Sequence, residues 1–227
     1  MSVPLVLAAH GTTDPAGRAV AVEVAQRAGE RLGVEARVGF VDVCGPELAG
    51  VLGEFVDAED APVVVPFFLA AGYHVRHDVP AAVHEAAPSA RVTPWLGEAP
   101  EVLDALAGRI AEVEREPEAV VLAAAGSSDV DARSEVEAVA TALGSRLDVP
   151  VAAAFLTGPG ATPAEAVADL RSRRRRHVVL AAHLLAPGVF LRRLTGTAED
   201  LDAAVTDAIG SHEAIVSLVE RRYREVG

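Results

Sequence analysis

Leu5-Val6-Leu7-Ala8-Ala9-His10-Gly11-Thr12-Thr13-Asp14 is the stretch that decides how this chain is read. It is a short apolar run, as expected for a strand covered on both faces, that ends in a histidine and breaks at a glycine. Asp14-Pro15 then caps and opens a helix to about residue 32, with Val20, Val24, Ala28 and Leu32 four apart. The stretch occurs twice. Val121-Leu122-Ala123-Ala124-Ala125-Gly126-Ser127-Ser128-Asp129 repeats it, with Ala125 in the place of His10.

Outward from this stretch, strand and helix alternate. Residues 36–43 read as a second strand, and Pro46 opens a helix carrying Leu48, Leu52 and Phe55. Pro62 precedes a third strand over 63–69, and a helix with Val79, Val83 and Ala87 follows. A short fourth strand over 90–93 and a helix from Pro100 to about Val113 complete the series. Such alternation means parallel βαβ units. After Glu114-Arg115-Glu116-Pro117-Glu118 the series restarts. His10 matches Ala125, Phe40 matches Phe155 and Val63 matches Val178, each at an offset of 115; Gly72 matches Gly188 at 116 and Val92 matches Val205 at 113. A near-constant offset is the mark of a duplication. The expected fold is α/β: two pseudo-symmetric, four-stranded parallel βαβ halves with flavodoxin-like character around a central cleft. Residues 1–113 and 119–227 are the halves and 114–118 the linker.

Composition narrows the function. The chain has 227 residues, 51% of them hydrophobic, and a formal net charge of −13, which argues against nucleic acid or an anionic membrane as the main partner. No apolar run reaches membrane-spanning length, no signal peptide is evident, and the single Cys44 precludes an internal disulfide. A cytoplasmic monomer is expected, since a fused pair of halves needs no partner to form its cleft. Arg173-Arg174-Arg175-Arg176 closes a helix and reads as a solvated end rather than an anion site.

In open α/β sheets, ligands bind beyond the carboxyl ends of strands. Those positions hold His10, Asp42 and His74, a set suited to a divalent first-row metal with coordination positions left open. The second half has Ala125, Thr157 and Phe190 there. All three candidate ligands are lost together while the glycines stay. Cys44 falls on the same face as Asp42 if the strand runs that far, and reads as a small buried hydrophobe. His183 aligns with Phe68 and reads as a packing or cleft-lining residue. No phosphate-loop, dinucleotide or hydrolase-elbow motif is present, so no nucleotide is expected.

At Ala9-His10-Gly11-Thr12, Phe40-Val41-Asp42 and Pro66-Phe67-Phe68-Leu69-Ala70-Ala71-Gly72-Tyr73-His74-x-x-x-Asp78-Val79-Pro80 the chain resembles the sirohydrochlorin chelatase family, the class II tetrapyrrole chelatases. That family has a strand ending in Ala-His-Gly-Ser and a Pro-Phe-Phe-Leu-x-x-Gly-x-His-x-x-x-Asp-Ile-Pro motif; here Thr12 replaces the serine, and Asp42 stands where glutamate is frequent. The resemblance implies ATP-independent insertion of Fe²⁺, or alternatively Co²⁺, into sirohydrochlorin, toward sirohaem or cobalamin. It implies His10 and His74 as catalytic ligands, with Asp42 completing the metal set. Gly11, Thr12, Thr13, Gly126, Ser127 and Ser128, as helix-start amides, and Arg76 with His77 are the expected contacts for the anionic macrocycle. A non-catalytic carrier of metal or tetrapyrrole is the alternative from a different class.

Overall fold

A computed structural model describes residues 3–55 and 61–226. Two four-stranded, all-parallel sheets are present. The first is ordered β2-β1-β3-β4, with β1 Leu5–Ala9, β2 Ala36–Phe40, β3 Val63–Pro66 and β4 Arg91–Val92. The second, β6-β5-β7-β8, repeats the order with β5 Ala119–Ala124, β6 Val151–Phe155, β7 Val178–His183 and β8 Ala204–Val205. The duplicated α/β architecture is therefore as expected.

The compact units do not follow the boundary between the repeats. One unit comprises Met1–Glu101 with Ser211–Gly227, and the other Val102–Gly210. Helix α4 (Pro100–Ala111) ends the first repeat, yet nearly all of it belongs to the second unit. There Arg109 donates to the Ile209 carbonyl and Asp104 pairs with Arg146. Helix α8 (Glu213–Val226) ends the second repeat and packs in the first unit on α1 (Pro15–Leu32) and β3. Residues 114–118, expected as the linker, lie inside the second unit, and the chain passes between units at 101–102 and 210–211. Pattern cannot reveal this exchange, because α4 and α8 are equivalent amphipathic helices and either would cover either sheet.

In the first unit the period of two along β1 divides the core. Val6 and Ala8 pack with Leu48, Val51 and Leu52 of α2 (Leu48–Gly53) and with Val79 and Val83 of α3 (Val79–Ala86). On α1, Ala21, Val24, Ala25 and Ala28 are buried, as are Ile215, Val216, Leu218 and Val219 on α8. Ion pairs fix α8: Arg27 and Arg31 reach Glu213, Arg31 reaches Glu220, and Arg221 grips Glu101 with both oxygens at 2.7 and 2.9 Å. Arg221 holds the Glu101 carboxyl below the usual carboxylate range. In the second unit, α6 (Pro163–Ser172) and α7 (Val189–Asp200) pack on Val121 and Ala123, while α5 (Val130–Leu147) lies against β5 and β6.

Strand ends differ from the sequence expectation. β2 stops at Phe40 instead of 43, because Val43 takes a left-handed φ of 65° and Cys44 N–H turns back to the Asp42 carbonyl. The expectation that Cys44 shares a strand face with Asp42 fails for this reason. β3 stops at Pro66 rather than 69. Register also moves one alignment: Leu5 pairs with Val63 and Val120 with Val179, so Val63 matches Val179, not Val178. His183 therefore corresponds to Phe67 rather than Phe68.

His183 is 3% exposed, its Nε2 has no hydrogen-bond partner, and burial pushes its pKa down to about 4 from 6.5. An imidazole occupies a slot that holds phenylalanine in the first unit. The unfolded chain binds the proton more readily, so His183 costs nothing above pH 6.5 and destabilises progressively as pH falls toward 4, by roughly 3 kcal/mol in all. His183→Phe is expected to remove that part of the acid limb. Urea unfolding at pH 7 and pH 4.5 checks it: equal pH dependence in the two proteins would show that His183 does not titrate on unfolding.

Candidate metal centre

The site is built where β1 stops. The β1–β2 ladder continues past the strands, with Val41 N–H donating to the Ala9 carbonyl at 2.9 Å and Asp42 N–H to the His10 carbonyl at 3.0 Å. This draws Asp42 beside His10. The approach requires Gly11: at φ +100° a side-chain Cβ would lie 2.1 Å from the Asp42 carbonyl oxygen. Gly126, at φ +105°, faces the Thr157 carbonyl in the same way, 1.9 Å from a hypothetical Cβ. The second unit has kept the turn without the ligands. There the Thr157 hydroxyl donates back to the Ala125 carbonyl at 2.7 Å.

His74 enters from the loop after β3. Residues His74–Asp78 form one wide π-turn, closed by Val79 N–H donating to the His74 carbonyl. Pro80 has no N–H to give the Arg76 carbonyl four residues earlier, so the first helical turn cannot close in the α register at that point. The turn sets Asp78 against His74, with Asp78 Oδ2 2.5 Å from His74 Nδ1. Phe68 stacks on the His74 ring with centroids 6.4 Å apart.

His10, Asp42 and His74 come together, each offering a ligand atom within 4.8 Å of the others. The imidazoles meet edge to face at 4.4 Å. His10 Nδ1 donates to the Gly11 carbonyl at 3.0 Å, and His74 Nδ1 donates to Asp78. Both acceptors take only a proton-bearing nitrogen, which leaves each Nε2 with a free lone pair. This is how a ligating histidine is held, by an outer partner that fixes its tautomer and ring orientation. Asp78, present in the sequence analysis only as part of the motif around His74, is the partner that orients this imidazole. Its four-residue spacing from His74 was the available signal. Asp42 accepts Val43 N–H on Oδ1 at 2.7 Å.

The other expected residues divide. Thr12 Oγ1 accepts Asp14 N–H, and Asp14 caps α1 by accepting Ala16 N–H; Ser127 and Asp129 do the same at α5. A carboxylate of the chain thus already sits on each helix start. Arg18 and Arg133 tie these loops through the carbonyls of Thr12 and Ser127. Among the described residues, the Gly11, Thr12 and Thr13 amides, and those of Gly126, Ser127 and Ser128, donate to no protein acceptor. Arg76 Nε donates to the Ala71 carbonyl at 2.8 Å and so holds the loop, while His77 packs on Tyr73 with ring centroids 4.6 Å apart.

The duplicated, all-parallel α/β fold is that of the chelatase-like class, and two histidines and a carboxylate converge at one set of its strand ends. The CbiX family model matches residues 4–113 and again 119–226. The chain belongs to the CbiX family of sirohydrochlorin chelatases. A sirohydrochlorin cobaltochelatase of Methanopyrus kandleri is 35% identical over 80 residues, 34% of this chain and 56% of that protein, so the match spans little over half of the relative's length. A sirohydrochlorin ferrochelatase of Bacillus subtilis is 28% identical over 175 residues, 71% of this chain and 67% of that protein. The structure of SirB from Bacillus subtilis with Fe³⁺ superposes with a TM-score of 0.86 at 23% identity, over 99% of this chain and 95% of the other, which fixes the fold.

Two substitutions check this geometry. Asp78→Ala is expected to weaken Co²⁺ binding by about 10–100-fold, read by titration of the visible cobalt bands, while the far-UV spectrum is unchanged; unaltered affinity would remove Asp78 from the site. Gly11→Ala forces the backbone off Asp42 and is expected to lower both stability, by at least the roughly 1–2 kcal/mol of a strained left-handed residue, and metal affinity. Wild-type values for both would show that the close approach is dispensable.

Proposed function

We propose that this chain inserts Fe²⁺ into sirohydrochlorin, with the ion presented by His10, Asp42 and His74. The observation that carries the reading is the convergence of these three groups, with both imidazoles oriented through Nδ1, in the unit whose duplicate has lost all three. Insertion exchanges one divalent ion for two pyrrole protons, so the site must both give up metal and accept protons. Two histidines and one carboxylate leave coordination positions open for the macrocycle nitrogens. As each metal–imidazole bond breaks, the freed Nε2 becomes a base within reach of the departing proton.

The surroundings fit a flat apolar ligand with an anionic rim. Val43, beside Asp42, is 50% exposed and Tyr73, beside His74, is 66% exposed, presenting apolar surface next to the metal ligands. The free amides of Gly11, Thr12 and Thr13 supply anion donors at the same strand end. Arg76 and His77 lie on the same turn as His74; the bond from Arg76 to Ala71 makes its first role that of holding the loop.

Cobalt is the second reading, favoured by the local 35% identity to the cobaltochelatase; iron is preferred because the match to the ferrochelatase extends over more of the chain. Nitrogen and oxygen ligands alone serve both ions. Anaerobic assays of sirohydrochlorin with Fe²⁺ or Co²⁺, followed by absorbance, are expected to show multiple turnovers, faster with Fe²⁺. Stoichiometric binding without acceleration over the uncatalysed rate would instead identify a carrier. His10→Ala is expected to slow single-turnover insertion by 100-fold or more, about 2.7 kcal/mol or greater. Insertion at the wild-type rate would sink the ligand assignment.

A further inference from the structure

The second unit carries a cavity of about 520 Å³ lined by Arg115, Arg171, Arg176, His177, Leu201 and Asp202. Three of these six residues are arginines and a fourth is a histidine, in a chain of 33 Asp and Glu against 20 Lys and Arg. The cavity lies at the amino ends of the strands: His177 immediately precedes β7, Glu118 precedes β5, and Asp202 lies just before β8. The carboxyl ends, where the first unit holds its metal ligands, are a strand length away, about 20 Å for the six residues of β5.

The arginine run that the sequence suggested was a solvated helix end is parted by the fold. Arg174 takes a left-handed φ of 66°, and Arg174 and Arg175 N–H groups turn back to the carbonyls of Arg171 and Leu170. Arg173 folds onto Asp169 at 3.0 Å. Past that turn, the Arg176 and His177 amides are both held by the Glu118 carboxylate, at 2.6 and 3.2 Å. Glu118 is thus engaged by backbone, and among the described residues no hydrogen bond or ion pair holds the Arg176 guanidinium. Arg171 donates to the Leu201 and Asp202 carbonyls at 2.8 and 3.1 Å, so its guanidinium is fixed in place before any ligand arrives. Arg115 comes from the segment after α4 and completes a group of three guanidiniums against two carboxylates, Asp202 in the lining and Glu118 on the Arg176 and His177 amides.

We propose that this cavity is a binding site for a compact phosphate-bearing anion, gripped by Arg115, Arg171 and Arg176 at the edge of the second unit opposite its strand carboxyl ends. Guanidinium forks match phosphate oxygens two at a time, and a cluster of three suits a ligand carrying several negative charges in a small volume. The pocket is open to solvent, and its volume of about 520 Å³ leaves room for an anion larger than one inorganic phosphate. Pyrophosphate is therefore the probe.

The test is isothermal titration of the full chain with pyrophosphate at low ionic strength, repeated with citrate and with KCl at matched ionic strength. Saturable binding of one pyrophosphate per chain is expected, with at least tenfold weaker affinity in Arg115→Ser/Arg176→Ser. Arg171 is left intact because it holds the Leu201–Asp202 turn. Arg173→Ser/Arg175→Ser, which removes equal charge outside the cavity lining, is expected to stay within twofold of wild type, as is His10→Ala. Absence of saturable binding at millimolar pyrophosphate would overturn the proposal. Equal weakening by both arginine pairs would reduce it to diffuse attraction, loss of binding in His10→Ala would place the anion at the metal ligands, and equal affinity for citrate would refute a phosphate site.

Discussion

The site depends on a close backbone approach, Gly11 against the carbonyl of Asp42. Two strand ends that would normally diverge into their loops are held together by the Asp42 to His10 hydrogen bond, and only a residue without Cβ allows the contact. The carboxylate then stands beside an imidazole from the neighbouring strand. The second unit repeats the approach with Gly126 and Thr157, so the turn belongs to the fold and does not depend on His10 or Asp42.

Placement of His74 has a different cause. Val79 N–H reaches back five residues to the His74 carbonyl, just before Pro80, which has no N–H of its own, and so closes a turn wider than an α-helical one. The wide turn sets Asp78 on His74 Nδ1 while Phe68 backs the ring. Ligand orientation is thereby independent of the metal. His10 reaches the same state through the Gly11 carbonyl, so both imidazoles are preorganised by local hydrogen bonds that do not compete with Nε2.

The duplicated chain also shows how a repeat is relaxed where function no longer holds it. Thr157 satisfies itself on the Ala125 carbonyl, and the His183 Nε2 has no hydrogen-bond partner where the first unit has Phe67. At the basic pocket by the amino ends of β5 and β7, the Arg176 guanidinium makes no hydrogen bond or ion pair among the described residues.

By itself the sequence determined the alternation of strands and helices and the duplication, and it singled out the three residues proposed as a metal set. Apolar runs of strand length, capping residues and the joint loss of His10, Asp42 and His74 in the copy are local or internally comparative signals. Three things were decided only in three dimensions. The exchange of α4 and α8 between units was hidden because equivalent amphipathic helices fit either sheet. The turn that carries His74 and Asp78 is wider than the α-helix that pattern alone suggests. The parting of the arginine run depended on a left-handed residue at Arg174, a conformation that side-chain chemistry does not announce and that the closing turn of α6 imposes.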